Sequence, residues 1–452
     1  MDKEFTFRSN SKISVRKEAL KTLISWEKGK ETLDYFTSQT FEFLPKELRG
    51  LYLEMAKGTV RHLGFLDYKL KVLVDSDYFS LPSPIRNLLR LGAYQLEFMN
   101  FPKPSIVNSM VEISKSEGHQ GTTALVNGVL RKFASNPAIP LPENQAEIFS
   151  VLYSHPLWLV EKWLKRFGSK ETEALLKWNN SIAPLEVRVN SLRITRENFL
   201  KICDLKGIKT KIGPLEGGVI LENVGAIDKL PGYPEGFFWA QSFSAQLPVF
   251  FLNPKPGEKI LDMCAAPGGK SCQIAEFIQD KGEVSAFDKA PERVKKIEEN
   301  RRRLGFHSIH PILADAREAG ELFPESFDSI LLDAPCSSTG SLRRKPDAKW
   351  RKSSSDLERY SLLQTELLNS AALALKPGGK LVYSTCSLES EENENQAEKF
   401  LASHSNFVLK EPGPDLPNIL FGLSQEYGLA ILPQKVQMDG FFVAVFEKIE
   451  ND

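Results

Sequence analysis

The stretch KILDMCAAPGGKS, residues 259–271, decides how the C-terminal half of this chain folds. Its apolar start predicts a buried β-strand over Lys259–Met263, and its proline and glycines predict a tight loop leading into a helix at Ser271. The glycine spacing of the dinucleotide fingerprint and of the phosphate-binding loop is missing. Small residues before a helix N-terminus still let the backbone approach a ligand closely. The candidate ligand-binding residues of this loop are Cys264, Ala265, Ala266, Pro267, Gly268, Gly269 and Lys270.

Strand-like and helix-like runs alternate from Asn253 onward. This alternation predicts a parallel, doubly wound α/β sheet of the Rossmann type. The predicted strands are Lys259–Met263, Glu283–Phe287, Ile309–Leu313, Ser329–Leu332, Lys380–Tyr383 and Phe441–Phe446. The predicted helices are Ser271–Ile278, Pro291–Leu304, Leu357–Leu375 and Glu391–Ala402.

Acidic residues follow three successive strands of this predicted sheet. Asp288 ends the second strand, Asp315 follows the third and Asp333 ends the fourth. An acid at the end of the second strand can bind ribose hydroxyls, so the ligand should be a nucleoside. Because a phosphate-binding loop is missing, S-adenosylmethionine fits this pattern better than ATP or NAD.

Two cysteines also follow predicted strands. Cys336 lies in DAPCSSTG, residues 333–340, and Cys386 lies in YSTCS, residues 383–387. A free cysteine is often only a small core residue. These two cysteines lie in polar, turn-rich stretches just after predicted strands, where α/β sheets bind ligands. Their positions therefore favour thiolate chemistry on a shared substrate.

Such chemistry suits methylation of carbon 5 of cytosine, which is too weak a nucleophile to react unaided. A thiolate that adds to carbon 6 turns the ring into an enamine, and a second group must then remove the proton from carbon 5. One acid should hold the ring, and the side chains available for these tasks are the two thiols, Asp333 and Lys270. Lys270 and Arg343–Lys345 are candidates for lowering the pKa of the thiol, and Arg343–Lys345 equally for holding RNA phosphate.

The N-terminal region is helical in its periodicity from Ser14 to about Phe133. One helix face over residues 85–96, for example, carries the apolar residues, while Arg86, Asn87 and Arg90 lie elsewhere. The apolar residues of this face are Ile85, Leu88, Leu89 and Leu96. A proline-rich linker at Pro137–Pro142 precedes a small α+β unit. The basic residues Arg16, Lys17 and Lys21 can form either a solvated helix face or a phosphate-binding surface.

Composition narrows the functional classes. The 452 residues carry 58 basic and 58 acidic side chains, so net charge points to no particular partner. The charged N-terminus predicts no secretory signal, and no apolar run is long enough for a membrane span. The five cysteines and six histidines have neither disulfide-framework nor metal-site spacing, which predicts a metal-free cytoplasmic protein with reduced thiols.

The region Phe237–Lys448 resembles the RNA cytosine-5 methyltransferase family, which includes the NOL/NSUN and bacterial Sun/Fmu/RsmB proteins. The motifs at residues 241–246, 264–271, 333–350, 383–387 and 439–442 carry the resemblance. It implies S-adenosylmethionine as cofactor, bound by the 264–270 loop with Asp288, Asp315 and Asp333. It implies Cys386 as the nucleophile, Cys336 as the group that assists product release, and Asp333 and Lys270 as further catalytic residues. Ser338 stands where glycine is common.

Residues 16–131 resemble the helical, RNA-binding NusB fold, a fusion characteristic of the RsmB group that methylates bacterial 16S ribosomal RNA. The implied division is a NusB-like domain at 1–140, a middle α+β domain at 141–236 and a methyltransferase domain at 237–452. The expected partner is 16S RNA, unpaired or in a partly assembled subunit, with neither DNA nor membrane, bound by a monomer.

Three alternatives stay open at this point. The same reaction could modify tRNA or 23S ribosomal RNA, or the chain could be a non-catalytic RNA-binding scaffold. Intact Cys336, Cys386, Asp333 and the glycine loop argue against the scaffold. A DNA cytosine-5 methyltransferase would use the Pro-Cys thiol as nucleophile, so the Thr-Cys motif and the NusB-like region argue against that class.

Overall fold

The computed structural model describes residues 14–75, 77–118, 120–222, 224–411 and 424–450. Two compact units emerge from the contacts within the chain. One comprises the N-terminal part up to Asn180 together with the short segment Lys345–Trp350, and the other comprises 181–344 and the part of the chain from Arg351 onward. In the described part of the chain, no helix is both long and apolar enough to cross a membrane.

The first unit is built from helices, and those before the proline-rich stretch pack around a shared apolar core, as the N-terminal periodicity predicts. The helix α9 is interrupted at Gly168, whose φ of 75° lies in the left-handed region that favours glycine. The proline-rich stretch 137–142 lies between α7 and α8. The helices are α1 (Val15–Lys28), α2 (Leu33–Phe41), α3 (Lys46–Arg61), α4 (Leu63–Leu73), α5 (Ser83–Phe98), α6 (Lys103–Glu117), α7 (Gln120–Ala134), α8 (Gln145–Leu152) and α9 (Leu157–Asn180).

The polar residues of α5 are not a solvated face. Arg90 is only 5% exposed and donates to both carboxylate oxygens of Asp67 and to Glu27. Arg86 also donates to Glu27, and these arginines and Ser83 lower the pKa of Glu27 to about 2 despite its partial burial. The apolar stripe of α5 is therefore correctly predicted, but its basic residues are used for internal ion pairs.

Segment Lys345–Trp350 is part of the helical unit although it lies far along the sequence. The Asp347 carboxylate accepts a hydrogen bond from the backbone N–H of Leu33, at the N-terminus of α2, at 2.9 Å. The Lys349 ammonium and the Trp350 indole donate at 2.8 and 2.7 Å to carbonyls at the C-terminal end of α3. An acid at a helix N-terminus complements the helix dipole, and N–H donors at a helix C-terminus satisfy carbonyls that have no partner within the helix. The segment therefore caps two helices of this unit.

The second unit contains a small antiparallel sheet of order β2-β3-β1-β4. This sheet and the helix beside it agree with the small α+β unit that the sequence predicts after the proline-rich linker. Its elements are β1 (Leu185–Val189), α10 (Arg196–Leu205), β2 (Lys209–Ile212), β3 (Gly218–Glu222) and β4 (Phe238–Ala240).

The larger sheet of this unit has the order β11-β12-β13-β9-β8-β5-β6-β7, with β10 also paired to β13. Its strands are β5 (Lys259–Asp262), β6 (Glu283–Asp288), β7 (Ile309–Leu313), β8 (Phe327–Asp333), β9 (Leu375–Thr385), β10 (Phe407–Lys410), β11 (Ser424–Gln425), β12 (Gly428–Ile431) and β13 (Phe441–Lys448). The helices from Phe243 onward are α11 (Phe243–Leu252), α12 (Gly269–Phe277), α13 (Pro291–Leu304), α14 (Ala319–Leu322), α15 (Ala348–Arg351), α16 (Ser354–Ala374), α17 (Glu394–Ser403) and α18 (Pro433–Val436).

The expectation of a fully parallel sheet is wrong. Strands β5 to β9 are parallel, but β13 runs antiparallel to β9 and to β12. Only nine residues, including the single-turn helix α18, join β12 to β13, too few for the crossover that a parallel neighbour requires. The alternating pattern of a strand does not encode its direction, so the sheet is mixed rather than parallel.

Candidate active site

The site is built at the carboxyl edge of the parallel strands. Strands β5, β6 and β8 end at Asp262, Asp288 and Asp333, and β9 ends one residue before Cys386. Since parallel strands share the direction of their carboxyl ends, these side chains lie at one edge of the sheet, where open α/β sheets bind ligands.

The loop after β5 is shaped by glycine at Gly268, which has a φ of 102° and precedes the first turn of α12. Gly269 does not need to be glycine for the protein itself: its φ is ordinary, and an added Cβ would lie no closer than 3.9 Å to Trp239. The backbone N–H of Ala265 donates to Phe287 at the end of β6, at 2.9 Å, which ties this loop to the next strand. The space in front of Gly269 is thus left open by the surrounding protein atoms.

A buried carboxylate lies beneath this loop. Asp262 is fully buried, and one of its oxygens accepts a hydrogen bond from the Ser271 hydroxyl at 2.7 Å. Burial raises its pKa to about 6, against the opposing effect of Ser271. Burial also raises the pKa of the nearby Cys264 thiol, with the Asp262 charge adding to the effect. Cys264 is thus placed to shape the loop, with its thiol held in the neutral form.

Asp288 and Asp315 occupy the predicted strand ends, and each already has partners. The Asp288 carboxylate is 4% exposed, accepts a hydrogen bond from the backbone of Ala290 and lies 3.3 Å from Arg293. Asp315 caps the short helical turn that follows β7 and pairs with Arg317 at 2.7 Å. Arg317 lowers the pKa of Asp315 through these hydrogen bonds.

Asp333 connects the loop after β5 with the strand that leads to Cys386. One of its oxygens accepts from Lys270 at 2.7 Å, and the other accepts from the hydroxyl of Ser384 at 3.0 Å. The Lys270 ammonium also lies 5.6 Å from the centre of the Phe441 ring. The structure therefore brings the predicted pair Lys270 and Asp333 into direct contact.

The two cysteines converge. Their sulfur atoms, on Cys336 and Cys386, are 3.4 Å apart. The hydroxyl of Ser338 lies 3.4 Å from the Cys386 sulfur. Ser338 has a φ of 63°, a left-handed conformation that glycine adopts more easily. The position therefore suits glycine sterically, and serine adds a hydroxyl beside the sulfur.

The Cys336 thiol is held in its neutral form. Its hydrogen bond with Cys386 and its burial raise its pKa well above the usual range, and the negative charge of Glu392 adds to the effect. A neutral thiol is a poor nucleophile but can donate a proton or, with a partner base, relay one.

The basic run Arg343–Lys345, a predicted candidate for lowering the pKa of a thiol, contacts other groups. Arg344 is paired with Glu186 at 2.7 Å and with Asp439, and Arg343 donates to the carbonyl of Ile182 at 2.7 Å. Lys345 belongs to the segment packed in the helical unit. These observations oppose the interpretation of Arg343–Lys345 as a phosphate-binding run, because its two arginines are committed to protein acceptors.

Comparison with known proteins places this chain in a family. The family described as "16S rRNA methyltransferase RsmB/F" matches residues 249–447, the NusB family matches 13–135, and the ferredoxin-like domain of RsmF/B-type methyltransferases matches 155–228. The "Probable ribosomal RNA small subunit methyltransferase B" of Bacillus subtilis is 35% identical over 97% of this chain and 99% of its own length. The chain belongs to the RsmB/F family of 16S rRNA methyltransferases.

Further similarities agree with this assignment. The "Ribosomal RNA small subunit methyltransferase B" of Vibrio cholerae is 35% identical, covering 88% of this chain and 89% of that protein. The solved structure titled "Crystal Structure of PH0851" superposes with a TM-score of 0.84 at 27% identity, covering 97% of this chain and all of the other. The predicted fold class, a NusB-like helical part, a small middle α+β part and a C-terminal methyltransferase part, is thereby confirmed, as is the family resemblance.

Proposed function

We propose that this chain transfers a methyl group from S-adenosylmethionine to carbon 5 of a cytosine in 16S ribosomal RNA, through a covalent bond between Cys386 and the base. The observation that carries the proposal is the 3.4 Å separation of the Cys336 and Cys386 sulfurs at the carboxyl edge of the sheet. The paired side chains of Lys270 and Asp333 lie at the same edge. A substrate base that reaches one thiol at this edge also reaches the other.

Each of these residues then has a chemical role. The Cys386 thiolate adds to carbon 6 of the cytosine and so makes carbon 5 nucleophilic. Asp333 holds the polar edge of the ring, and Lys270 fixes the orientation of that carboxylate through their ion pair. After the methyl group has passed to carbon 5, Cys336 relays the carbon 5 proton: it takes this proton as its own thiol proton passes to water, and the carbon–sulfur bond to Cys386 then breaks so that the Cys386 thiolate leaves. The raised pKa of Cys336 supports this division, since its neutral thiol is a poor nucleophile and carries a proton that it can pass on when it takes another.

The loop after β5 fits the cofactor. The open space before Gly269 would admit a ligand against the backbone, and the N-terminus of α12 has no side-chain cap to occupy its N–H groups. Residues 264–270 would hold S-adenosylmethionine together with Asp288, Asp315 and Asp333. When bound, S-adenosylmethionine supplies an electrophilic methyl group.

Methyl transfer to purified RNA tests the proposal. We expect radiolabelled methyl groups from S-adenosylmethionine to enter 16S RNA, and bisulfite sequencing of RNA from cells with and without this gene to reveal the modified cytosine. Label in tRNA or 23S RNA instead would change the substrate, and label that bisulfite sequencing does not place on cytosine would exclude the carbon 5 chemistry.

Cofactor affinity should depend on Gly269 and Asp288. Gly269→Val should fill the open space before the loop, and Asp288→Ala should remove a ribose acceptor, costing about 1–3 kcal/mol or roughly 5- to 150-fold in affinity. Calorimetric titration with S-adenosylmethionine measures both losses. Asp328 lies near the start of β8, at the opposite edge of the sheet, and pairs with Lys376, so Asp328→Asn is the matched control. Wild-type affinity in both site variants would refute this placement of the cofactor.

RNA affinity should depend on exposed lysines of α1. Arg16 is unsuited to phosphate contact, because it donates to Gln95 at 2.7 Å and stacks on Phe101. Lys17 is exposed, and the exposed Lys21 pairs with Glu18 at 2.9 Å. We expect Lys17→Gln with Lys21→Gln to weaken RNA binding and to lower the slope of log affinity against log salt by up to about 2.

Fluorescence anisotropy at a series of salt concentrations measures this slope, with Lys132→Gln, at the exposed lysine of α7 paired with Asp75, as the control. An unchanged slope in the double variant would exclude α1 from the RNA surface. Charge variants are a cleaner test than deletion of residues 1–140, because deletion would remove the helix ends that Asp347, Lys349 and Trp350 cap.

A further inference from the structure

Glu392 lies beneath both cysteine loops and is completely buried. It ends the short helical turn Ser390–Glu392 that follows the Cys386 loop. The hydroxyl of Tyr383, in the strand leading to Cys386, donates to the backbone carbonyl of Glu392 at 2.5 Å. The backbone of this acid is therefore fixed relative to β9.

The carboxylate of Glu392 joins the residues that directly follow the two cysteines. The backbone N–H of Ser337 donates to it at 2.8 Å, and the Ser337 hydroxyl donates to its other oxygen. The hydroxyl of Ser387 donates to that same oxygen at 2.5 Å. The two serine hydroxyls are themselves 3.1 Å apart, so the three side chains form one buried cluster.

A fourth donor ties the loop that carries Pro335 and Cys336, the Pro-Cys loop, to the same acid. The amide of Gln364, on α16, donates to the carbonyl of Pro335 at 2.9 Å and to Glu392 at 3.3 Å. The Pro-Cys loop is thus held on both sides of Cys336. A buried carboxylate needs such hydrogen bonds, since leaving any of them unmade carries a desolvation cost.

We propose that Glu392 is a positioning residue that sets the separation of the Cys336 and Cys386 thiols through Ser337 and Ser387. The inference rests on the proposed function, because it assumes that both thiols act on one base. Glu392 is separated from the substrate by the serines and touches no reacting atom. Its charge adds to the raised pKa of Cys336, and its hydrogen bonds to the two serines add a geometric effect: they determine whether a base bound covalently to Cys386 also lies within reach of Cys336.

The separation of the sulfurs can be measured without any methylation. Phenylarsine oxide forms two arsenic–sulfur bonds with a pair of close thiols and releases water, so its affinity reports their distance. We expect Glu392→Ala and the milder Glu392→Gln to weaken bridging of Cys336 and Cys386 about tenfold or more. Peptide mapping by mass spectrometry identifies the bridged pair and separates it from the other cysteines.

The neighbouring acid of the same turn provides the control. Glu391 accepts from the Ser390 hydroxyl, and Glu391→Gln removes the same charge one residue away from Glu392. This variant should keep wild-type bridging. S-adenosylmethionine affinity should be retained by all three variants, which shows that the sheet and its cofactor loop are folded.

Kinetics and a mutant cycle complete the test. We expect Glu392→Gln to lower kcat by about 10- to 100-fold with little change in KM for RNA, because misplacing a reacting group impairs chemistry rather than binding. If the serines transmit the effect, Ser387→Ala and Glu392→Gln should be non-additive in the arsenical assay.

Unchanged arsenical bridging in Glu392→Ala, or additive effects in the cycle, would overturn the positioning role. A loss of bridging in Glu392→Gln would also overturn it if cofactor binding is lost to the same extent, because the substitution would then have disrupted the fold of the whole unit. Failure of the proposed function gives a different result: full methyl transfer by variants that lack Cys336 or Cys386, whatever the bridging assay shows for Glu392.

Discussion

Cys386→Ala should abolish methyl transfer while leaving the affinity for S-adenosylmethionine close to that of the unchanged protein. Loss of a covalent nucleophile costs roughly three or more orders of magnitude in rate, because carbon 5 of cytosine is then left unactivated. Cofactor binding should persist, since Cys386 follows β9 and lies outside the 264–270 loop. The backbone carbonyl of Cys386 accepts from Gly340 at 2.9 Å, and alanine retains this bond.

Single-turnover methylation of 16S RNA measures the rate, and calorimetry measures cofactor affinity. Cys203 is buried in the core of the smaller sheet, so Cys203→Ala controls for the removal of a thiol elsewhere in the same unit. Near-normal turnover by Cys386→Ala would remove Cys386 from the role of nucleophile. Loss of cofactor affinity would mean instead that this residue supports the cofactor site.

The positions of the candidate site residues were predictable because each residue directly follows a stretch of sequence that is recognisable as a buried strand. A buried apolar run followed by a polar turn marks the carboxyl end of a strand, and parallel strands bring such ends to one edge. Asp288, Asp333 and both cysteines were located in this way. The contact between Lys270 and Asp333 is consistent with the same rule, since Asp333 ends β8 and Lys270 lies in the first turn of α12, at the end of the loop that follows the adjacent strand β5.

Features that depend on long-range contacts were not predictable. Asp347 and Lys349 follow a basic run and read as surface residues, yet they cap helices more than 280 positions away along the chain. Arg344 likewise finds Glu186 and Asp439 only in the folded unit. Charge alone does not reveal whether a side chain faces solvent or a buried acceptor.

Glu392 illustrates the same limit within the site. It stands in the acidic stretch SEEN, residues 390–393, which in isolation reads as the exposed start of a helix. Only the folded chain shows that its carboxylate is enclosed by Ser337 and Ser387. The two cysteine motifs were recognisable separately, but the acid that joins them carries no sequence signal of its own.

Cys336→Ala should trap the protein on its RNA. Cys386 remains available to add to carbon 6, but the group 3.4 Å from it that takes part in removing the carbon 5 proton is gone. Elimination of Cys386 requires that proton to leave, so the carbon–sulfur bond should persist after methylation. Loss of a general acid–base group slows its step by roughly 10²- to 10⁴-fold. Denaturing electrophoresis should therefore show a protein–RNA adduct as a major species.

The adduct identifies the nucleophile as well as the releasing group. Replacing both Cys336 and Cys386 with alanine should remove it, because no thiol is then left to attack the base. An adduct that persists in the double variant would assign the attack to another residue. Adduct formation by Cys386→Ala with Cys336 intact would exchange the roles of the two thiols, giving the Pro-Cys chemistry of the DNA cytosine-5 methyltransferases. The raised pKa of Cys336 argues against this exchange, since a neutral thiol is a poor nucleophile and the attack is then left to Cys386.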